Sequence, residues 1–398
     1  MNQKISLFLG LAAMAILLAG GTANAMPMFA RKLGVDCSMC HNPFPRLNKT
    51  GFEFRAAGFR LTDEIGKKED NPLNFGDYVS ARIKTDFAMV RSRDDETHTS
   101  TSKSDFQFKE VTFYPATGEF LGNWASEVEL SFPPGEEVET ENAYLKYAGG
   151  GKGGRFFTVR MGVFHPFEGY GASDRPIGLS RPLIETSKAS GSPFKVFGLD
   201  QAGLELGYSV KNTRVTGTIF NGVSPEGEPN QTSDTDNQKD FQVLVNQMLD
   251  EAGKSAVSAY YYRGKAFPEI DGTPVGDTFT RWALFANTPL AKAEKLEILV
   301  GYGTGKDSLA ASVKSKGWFG ELRSRLRPAL YGFARYDRFD PSTSVGNNDI
   351  NAISTGVNWQ MAQWVQLLAE FQHKTTEQGP GIGDKTDNSF RVEAVVIF

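Results

Sequence analysis

The chain has 398 residues, with 43 Lys and Arg against 47 Asp and Glu and a formal net charge of −4. With no basic excess, nucleic acid is not an expected partner. Hydrophobic residues make up 40% and mean hydropathy is −0.34, and after residue 25 no apolar run reaches the ~18 residues of a spanning helix, which excludes a helical membrane protein but not one built of strands.

Residues 1–25 read as an export signal. Lys4 supplies a short positive region, residues 5–18 are apolar or small, and Ala23-Asn24-Ala25 fits small-x-small cleavage before Met26. The apolar run is too short to favour a retained anchor.

Residues 26–75 follow as a small separate unit around Cys37-Ser38-Met39-Cys40-His41, which holds both cysteines of the chain. In an exported chain, C-x-x-C-H reads as a c-type haem attachment site. The two thiols add across the haem vinyl groups, and the adjacent imidazole becomes the proximal iron ligand. A redox dithiol leaves His41 unexplained, and a zinc site wants a second ligand pair, whereas His98, His165 and His373 are scattered. A disulfide between positions three apart closes almost no loop. Phe29, Phe44, Leu47, Phe52 and Phe59 are the expected packing partners of one covalent haem c, with Phe29 and Phe44 against the cofactor itself. A helix-like stretch covers 49–61.

From residue 76 to 398 the sequence alternates with period two. Val79, Ala81, Ile83, Thr85, Phe87 and Met89 alternate with Ser80, Arg82, Lys84 and Asp86; at the end, Phe390, Val392, Ala394, Val396 and Phe398 alternate with Ser389, Arg391 and Glu393. About sixteen such segments follow one another, near 79–90, 104–114, 119–132, 140–148, 155–164, 202–210, 213–222, 240–249, 256–264, 278–287, 294–304, 315–325, 328–338, 350–360, 363–373 and 388–398. An even count in one meander predicts an all-β chain, a porin-like antiparallel transmembrane barrel of about sixteen strands with a small N-terminal haem-binding segment. Connection lengths alternate between short turns and long polar loops, as periplasmic turns opposite external loops would. Phe398 closes the last strand with an aromatic, as outer-membrane barrels do. The expected home is the bacterial outer membrane, with lipid around the barrel.

Several side chains acquire expected places in such a barrel. Tyr260, Tyr261, Tyr262, Tyr331 and Tyr336 suit interfacial girdles, and Arg160, Arg335 and Asp337 a polar lumen. The haem unit joins strand one from the periplasmic side, so it either hangs below the barrel or fills it as a plug; the short linker favours the plug. For the second axial ligand, Met39 lies inside the motif and points away from the open position, which leaves Met28 and His165. His165 opens the longest connection, after segment five, which in sixteen-strand porins commonly folds into the lumen; His98 and His373 rank below it. Asp94, Asp95 and Glu96 in the first long loop, and Glu136, Glu137, Glu139 and Glu141 in the next external one, offer hard oxygen ligands to an external cation.

The run Met28-Phe29-Ala30-Arg31, the 37–41 motif, Phe44-Pro45-Arg46-Leu47 and Gly51-Phe52-Glu53-Phe54, followed by the barrel pattern, resembles the fused monohaem cytochrome–porin family of bacterial outer membranes. The resemblance covers essentially the whole mature chain, with its specific part in the first fifty residues. It implies haem c on Cys37 and Cys40, proximal ligation by His41, and electron passage between extracellular iron or another redox partner and periplasmic carriers such as cytochromes. The activity implied is iron(II):cytochrome c oxidoreductase-like. Two other functions stay open at this stage: a diffusion porin gated or sensed by its cytochrome segment, and a barrel that docks separate multihaem cytochromes.

Overall fold

The computed structural model describes residues 28–42, 45–67, 77–165, 169, 176–192, 200–222, 237–267, 269–270, 273–290, 295–309 and 311–398. The export signal and Phe44 lie outside the described residues.

Sixteen full-length antiparallel strands form one closed sheet. They are β1 (Ser80–Asp94), β2 (Thr99–Tyr114), β3 (Trp124–Phe132), β4 (Glu139–Gly150), β5 (Arg155–Phe164), β6 (Gln201–Val210), β7 (Thr213–Phe220) and β8 (Asp240–Met248). The second half comprises β9 (Ala256–Ala266), β10 (Asp277–Pro289), β11 (Leu296–Ser308), β12 (Ser312–Arg327), β13 (Leu330–Asp340), β14 (Ile350–Ala362), β15 (Val365–Thr376) and β16 (Lys385–Ile397). Each strand pairs with its sequence neighbours, and β1 closes on β16 from Arg82 opposite Ile397 to Asp94 opposite Lys385. Phe398 completes the seam by exchanging backbone hydrogen bonds with Ala81. A closed ladder leaves no unpaired edge, which is the condition for strands to lie in lipid.

The side chains are arranged inside out relative to a soluble protein. Met161, Leu206, Trp282, Leu284 and Ile353 are each more than half exposed on the outer face. Their strand neighbours Arg160, Glu205, Arg281 and Ser354 are buried inward. The buried charges are paired: Arg281 with Asp307 at 2.7 Å, Arg160 with Glu205 at 2.6 Å, and Arg335 with Asp337 at 2.7 Å and Glu321 at 3.3 Å. An apolar exterior over a polar lumen is the pattern of a transmembrane barrel.

The connection after β5 turns inward. Its helix Leu183–Thr186 packs Leu183 and Ile184 against Tyr260, Phe285, Leu299, Phe319 and Phe339 of the wall. Leu179 N–H donates to Glu370 at 2.7 Å, Leu183 N–H to Asp337 at 3.1 Å, and Arg335 reaches the Ser180 carbonyl at 3.0 Å.

Four expectations are corrected. The first long loop is a tight turn at 95–98, because β1 and β2 stay paired out to Asp94 opposite Thr99. Beyond the lipid band both faces are polar, so the apolar alternation that marks a strand disappears there while pairing continues. The carboxylate of Asp94 is spent within that turn, accepting the Glu96 and Thr97 N–H groups at 3.0 Å. Tyr260 and Tyr262 face the lumen, and only Tyr261 of that run points outward; three consecutive residues cannot share one face of a strand. Glu139 and Glu141 lie on β4, and Glu141 lines the lumen.

Leu284→Arg should destabilise the barrel by roughly 2–4 kcal/mol if the outer face meets lipid near the midplane. Urea titration of the folded band on unheated gels in lipid measures it, and an unchanged midpoint would contradict a lipid-facing Leu284.

Candidate functional site: the cavity beneath the 37–41 motif

The N-terminal unit is built from short pieces fastened by side chains. Helix α1 (Met28–Leu33) carries Arg31 and Lys32 in its last turn, favourable for its dipole, and ends at Gly34 with φ +64°. Asp36 caps the single turn Cys37–Met39, its Oδ1 accepting the Ser38 N–H at 2.8 Å, and those Ser38 bonds hold its carboxyl below the ordinary value. The amides of Cys40 and His41 both donate to the Cys37 carbonyl, at 3.2 and 3.0 Å, so the two thiols and the imidazole leave one tight turn together.

Asn48 joins this turn to helix α2 (Lys49–Ala56). Its Nδ2 donates to the carbonyls of Ser38 and Met39 at 3.2 and 3.0 Å, while its Oδ1 caps α2 through the Gly51 N–H at 3.0 Å. Gly51 permits the contact: a Cβ there would stand 2.2 Å from the Cys40 carbonyl oxygen. After α2 the backbone reverses through Gly58 and Phe59, φ +78° and +60°, so the helix is shorter than the 49–61 expected. The reversal brings Phe59 onto Phe29 in a stacked pair with centroids 5.1 Å apart, and Phe54 meets Phe29 edge-on at 5.1 Å.

This unit shares its core with the barrel. Phe54 and Phe59 pack on Ala125, Phe52 on Met248 and Ala256, and Ala56, Ala57 and Ile65 on Ala148 and Phe156. Arg46 meets Glu297 at 2.5 Å, Lys49 donates to Asn212 at 2.8 Å, Asp36 accepts from Gln363 at 2.8 Å, and Arg60 donates to the carbonyls of Gly122 and Trp124. These partners lie on or beside the short turns, at stations spread around one rim, so the unit is fastened across the short-turn end of the barrel.

A cavity of about 470 Å³ lies between the unit and the wall, within the roughly 300–1,000 Å³ of small-molecule and cofactor sites. Cys37, Cys40, His41 and Phe29 border it, with Leu33, Leu47, Phe54 and Phe59 as further apolar lining. The opposite side carries Arg82, Tyr114, Glu127, Glu129, Tyr144 and Arg160 from β1 to β5, and then His165, Arg181, Glu185 and Asp200 from the inward connection and its neck.

His41 Nδ1 lies 3.0 Å from the Pro45 carbonyl. Burial is the main cause that lowers its pKa to about 4, so it is neutral at pH 7. An imidazole that donates from Nδ1 carries its lone pair on Nε2, the tautomer a metal ligand requires. Burial pushes both thiols above their ordinary value, for Cys37 with help from the Asp36 charge. Reactive redox cysteines are shifted the other way.

Of the residues singled out from sequence, Cys37, Cys40, His41, Phe29 and His165 border one cavity. Met28 and Met39 are not among its lining, His98 sits in the 95–98 turn at φ +52°, and His373 bonds Asn388 on the wall. Sequence reasoning missed Asn48, Asp200 and the Arg82, Tyr114, Glu129 and Tyr144 wall. An S/T/D/N residue opening a helix was the one signal available, for Asn48.

No family model matches the chain, and no curated protein matches it. Among solved structures it is similar to the anion-selective porin from Comamonas acidovorans, with TM-score 0.58, 10% identity, and coverage of 80% of this chain and 98% of that one. Outer-membrane expressed OmpT of Vibrio cholerae follows with TM-score 0.54, 12% identity and coverage of 80% and 97%. The outer membrane channel DcaP of Acinetobacter baumannii gives 0.52, 11%, and 80% and 96%. The fold is therefore that of a porin-like barrel of the outer-membrane type.

Asn48→Ala should cost about 1 kcal/mol of cap energy. It should also speed limited proteolysis within 28–67 while the folded barrel band persists; equal protection in the variant would mean that Asn48 holds nothing.

Proposed function

We propose that the barrel sits in the bacterial outer membrane and carries electrons through one covalently bound haem c, between extracellular iron(II) or a similar external donor and periplasmic carriers. The observation that carries this reading is a C-x-x-C-H turn opening on a cavity with an apolar side, with its histidine neutral and oriented by a backbone carbonyl. The residues fit the group. Cys37 and Cys40 would hold it by thioether bonds, and His41 would ligate the iron through Nε2. Phe29, Phe54 and Phe59 provide the apolar surface, and the Arg82 and Arg160 side of the cavity offers cations to carboxylates. Phe44 stays a proposed contact from the sequence alone. Bound there, haem c supplies reversible one-electron chemistry without a diffusing product.

The chain's own residues then do two things. Arg46, Lys49 and Arg60 fasten the unit to the short-turn rim, which supports a stoppered barrel and a redox centre fixed near its periplasmic mouth. The wall insulates the two sides, and a haem held in the tube would give electrons a stepping stone between them, so that external iron need not cross. Glu136 and Glu137, exposed in the loop after β3, are acidic groups that would attract a cation there. A diffusion porin whose cytochrome segment gates it is the second reading, favoured by the porin fold. Docking of separate multihaem cytochromes onto the barrel is the third, and stoichiometric haem partners copurifying with it would favour that.

Replacing both Cys37 and Cys40 by Ala should lose the haem stain that survives denaturing gels while the barrel band persists; retained covalent haem would overturn the site. Iron(II) mixed with oxidised holoprotein in a stopped flow should reduce the haem at neutral pH, and no reduction would sink the iron reading. In planar bilayers the holoprotein should show little steady conductance in either redox state. A large, constantly open current would overturn the stoppered barrel, and a current that follows haem redox state would establish the gated porin.

A further inference from the structure

We propose that His165 is the second axial ligand of the haem held by Cys37, Cys40 and His41, and that Asp200 is the positioning residue that aims it. The inference deepens the haem c reading and rests on it.

His165 directly follows β5 and Asp200 directly precedes β6, where Phe164 pairs with Gln201. The last rung of that ladder holds the two residues together at the neck of the inward connection. His165 Nδ1 lies 2.9 Å from Asp200 Oδ1. With the proton on Nδ1 donated to the carboxylate, the lone pair falls on Nε2. That Nε2 is buried and has no hydrogen-bond partner among the described residues, and His165 borders the cavity of the 37–41 motif. A buried polar atom without a partner is costly, and coordination to a metal in the cavity removes that cost.

A carboxylate behind an imidazole is the arrangement that orients metal-bound histidines and raises their basicity. The strand end below is packed by rings. Phe164 packs on Tyr144 and Phe220 with centroids 6.1 and 5.5 Å away, and the Arg160 guanidinium lies 3.9 Å over its ring. Among the described residues, His41 and His165 are the two imidazoles that border this cavity. His373 is committed to Asn388 at 2.8 Å on the wall of the barrel.

Two imidazole ligands close both axial positions, so the iron would exchange electrons without binding substrate. They also give a lower potential than a His/Met pair. The full-length holoprotein is the test object. Its ferric form should show the low-spin resonance of two imidazoles, and His165→Ala should turn high-spin and return to low-spin when imidazole is added. His165→Met should stay six-coordinate with a raised midpoint potential. Asp200→Asn should stay low-spin, also with a raised potential, which a residue that merely holds the loop would not produce. A high-spin or His/Met-type wild-type resonance overturns the proposal, and that measurement stands even if the alanine variant fails to fold. So does an unchanged spectrum in His165→Ala or an unchanged potential in both His165→Met and Asp200→Asn. Haem that is covalently bound but blind to these substitutions defeats only the ligand assignment; protein that never binds haem defeats the functional reading itself.

Discussion

A chain that crosses lipid as strands has to satisfy every backbone hydrogen bond within its own sheet. Everything else in this molecule follows from the closure of β1 on β16. Once closed, the wall has two faces of opposite chemistry, because successive residues point to opposite sides. Sixteen strands enclose a lumen too wide for wall side chains alone to fill. Arginines and carboxylates line it in pairs, the inward connection after β5 enters it, and the N-terminal unit makes its contacts at the short-turn rim.

That same constraint explains what was legible in the sequence. Period-two alternation marks a strand only where one face meets lipid, so all sixteen segments could be found but their ends could not. The outer parts of β1 and β2 are polar on both faces, and Thr99 to Thr101 therefore read as loop although they pair with Asp94 to Ser92. The third segment, near 119–132, divides into a short strand Gly118–Phe120 and β3, and that split escaped notice for another reason. Leu121 and Gly122 take φ of +48° and +73°, and the leucine gives no warning of a left-handed turn. Tyr260 to Tyr262 illustrate the reverse error, in which composition suggested a girdle although alternation forbids one.

The site was half legible. A motif within five consecutive residues stands out by itself, and Cys37, Cys40 and His41 needed no fold to be selected as candidates. The cavity wall was hidden because its members are single polar positions on five different strands, each looking like any other lumen residue. Asp200 is the sharpest case. Nothing in its neighbourhood sets it apart until the β5–β6 ladder brings it back beside His165 across the longest connection in the chain.

The shared core bears on how such a small N-terminal unit can be stable at all. About fifty residues sit near the limit for folding without a staple. The barrel supplies part of the core: Ala125, Ala148, Phe156, Met248 and Ala256 all pack with the unit. The contacts are close enough to demand small residues on the wall. A Cβ at Gly151 would stand 2.1 Å from the Thr62 carbonyl oxygen, and one at Gly58 would touch Ala125 at 3.0 Å. Unit and barrel are thus matched surfaces at the short-turn rim.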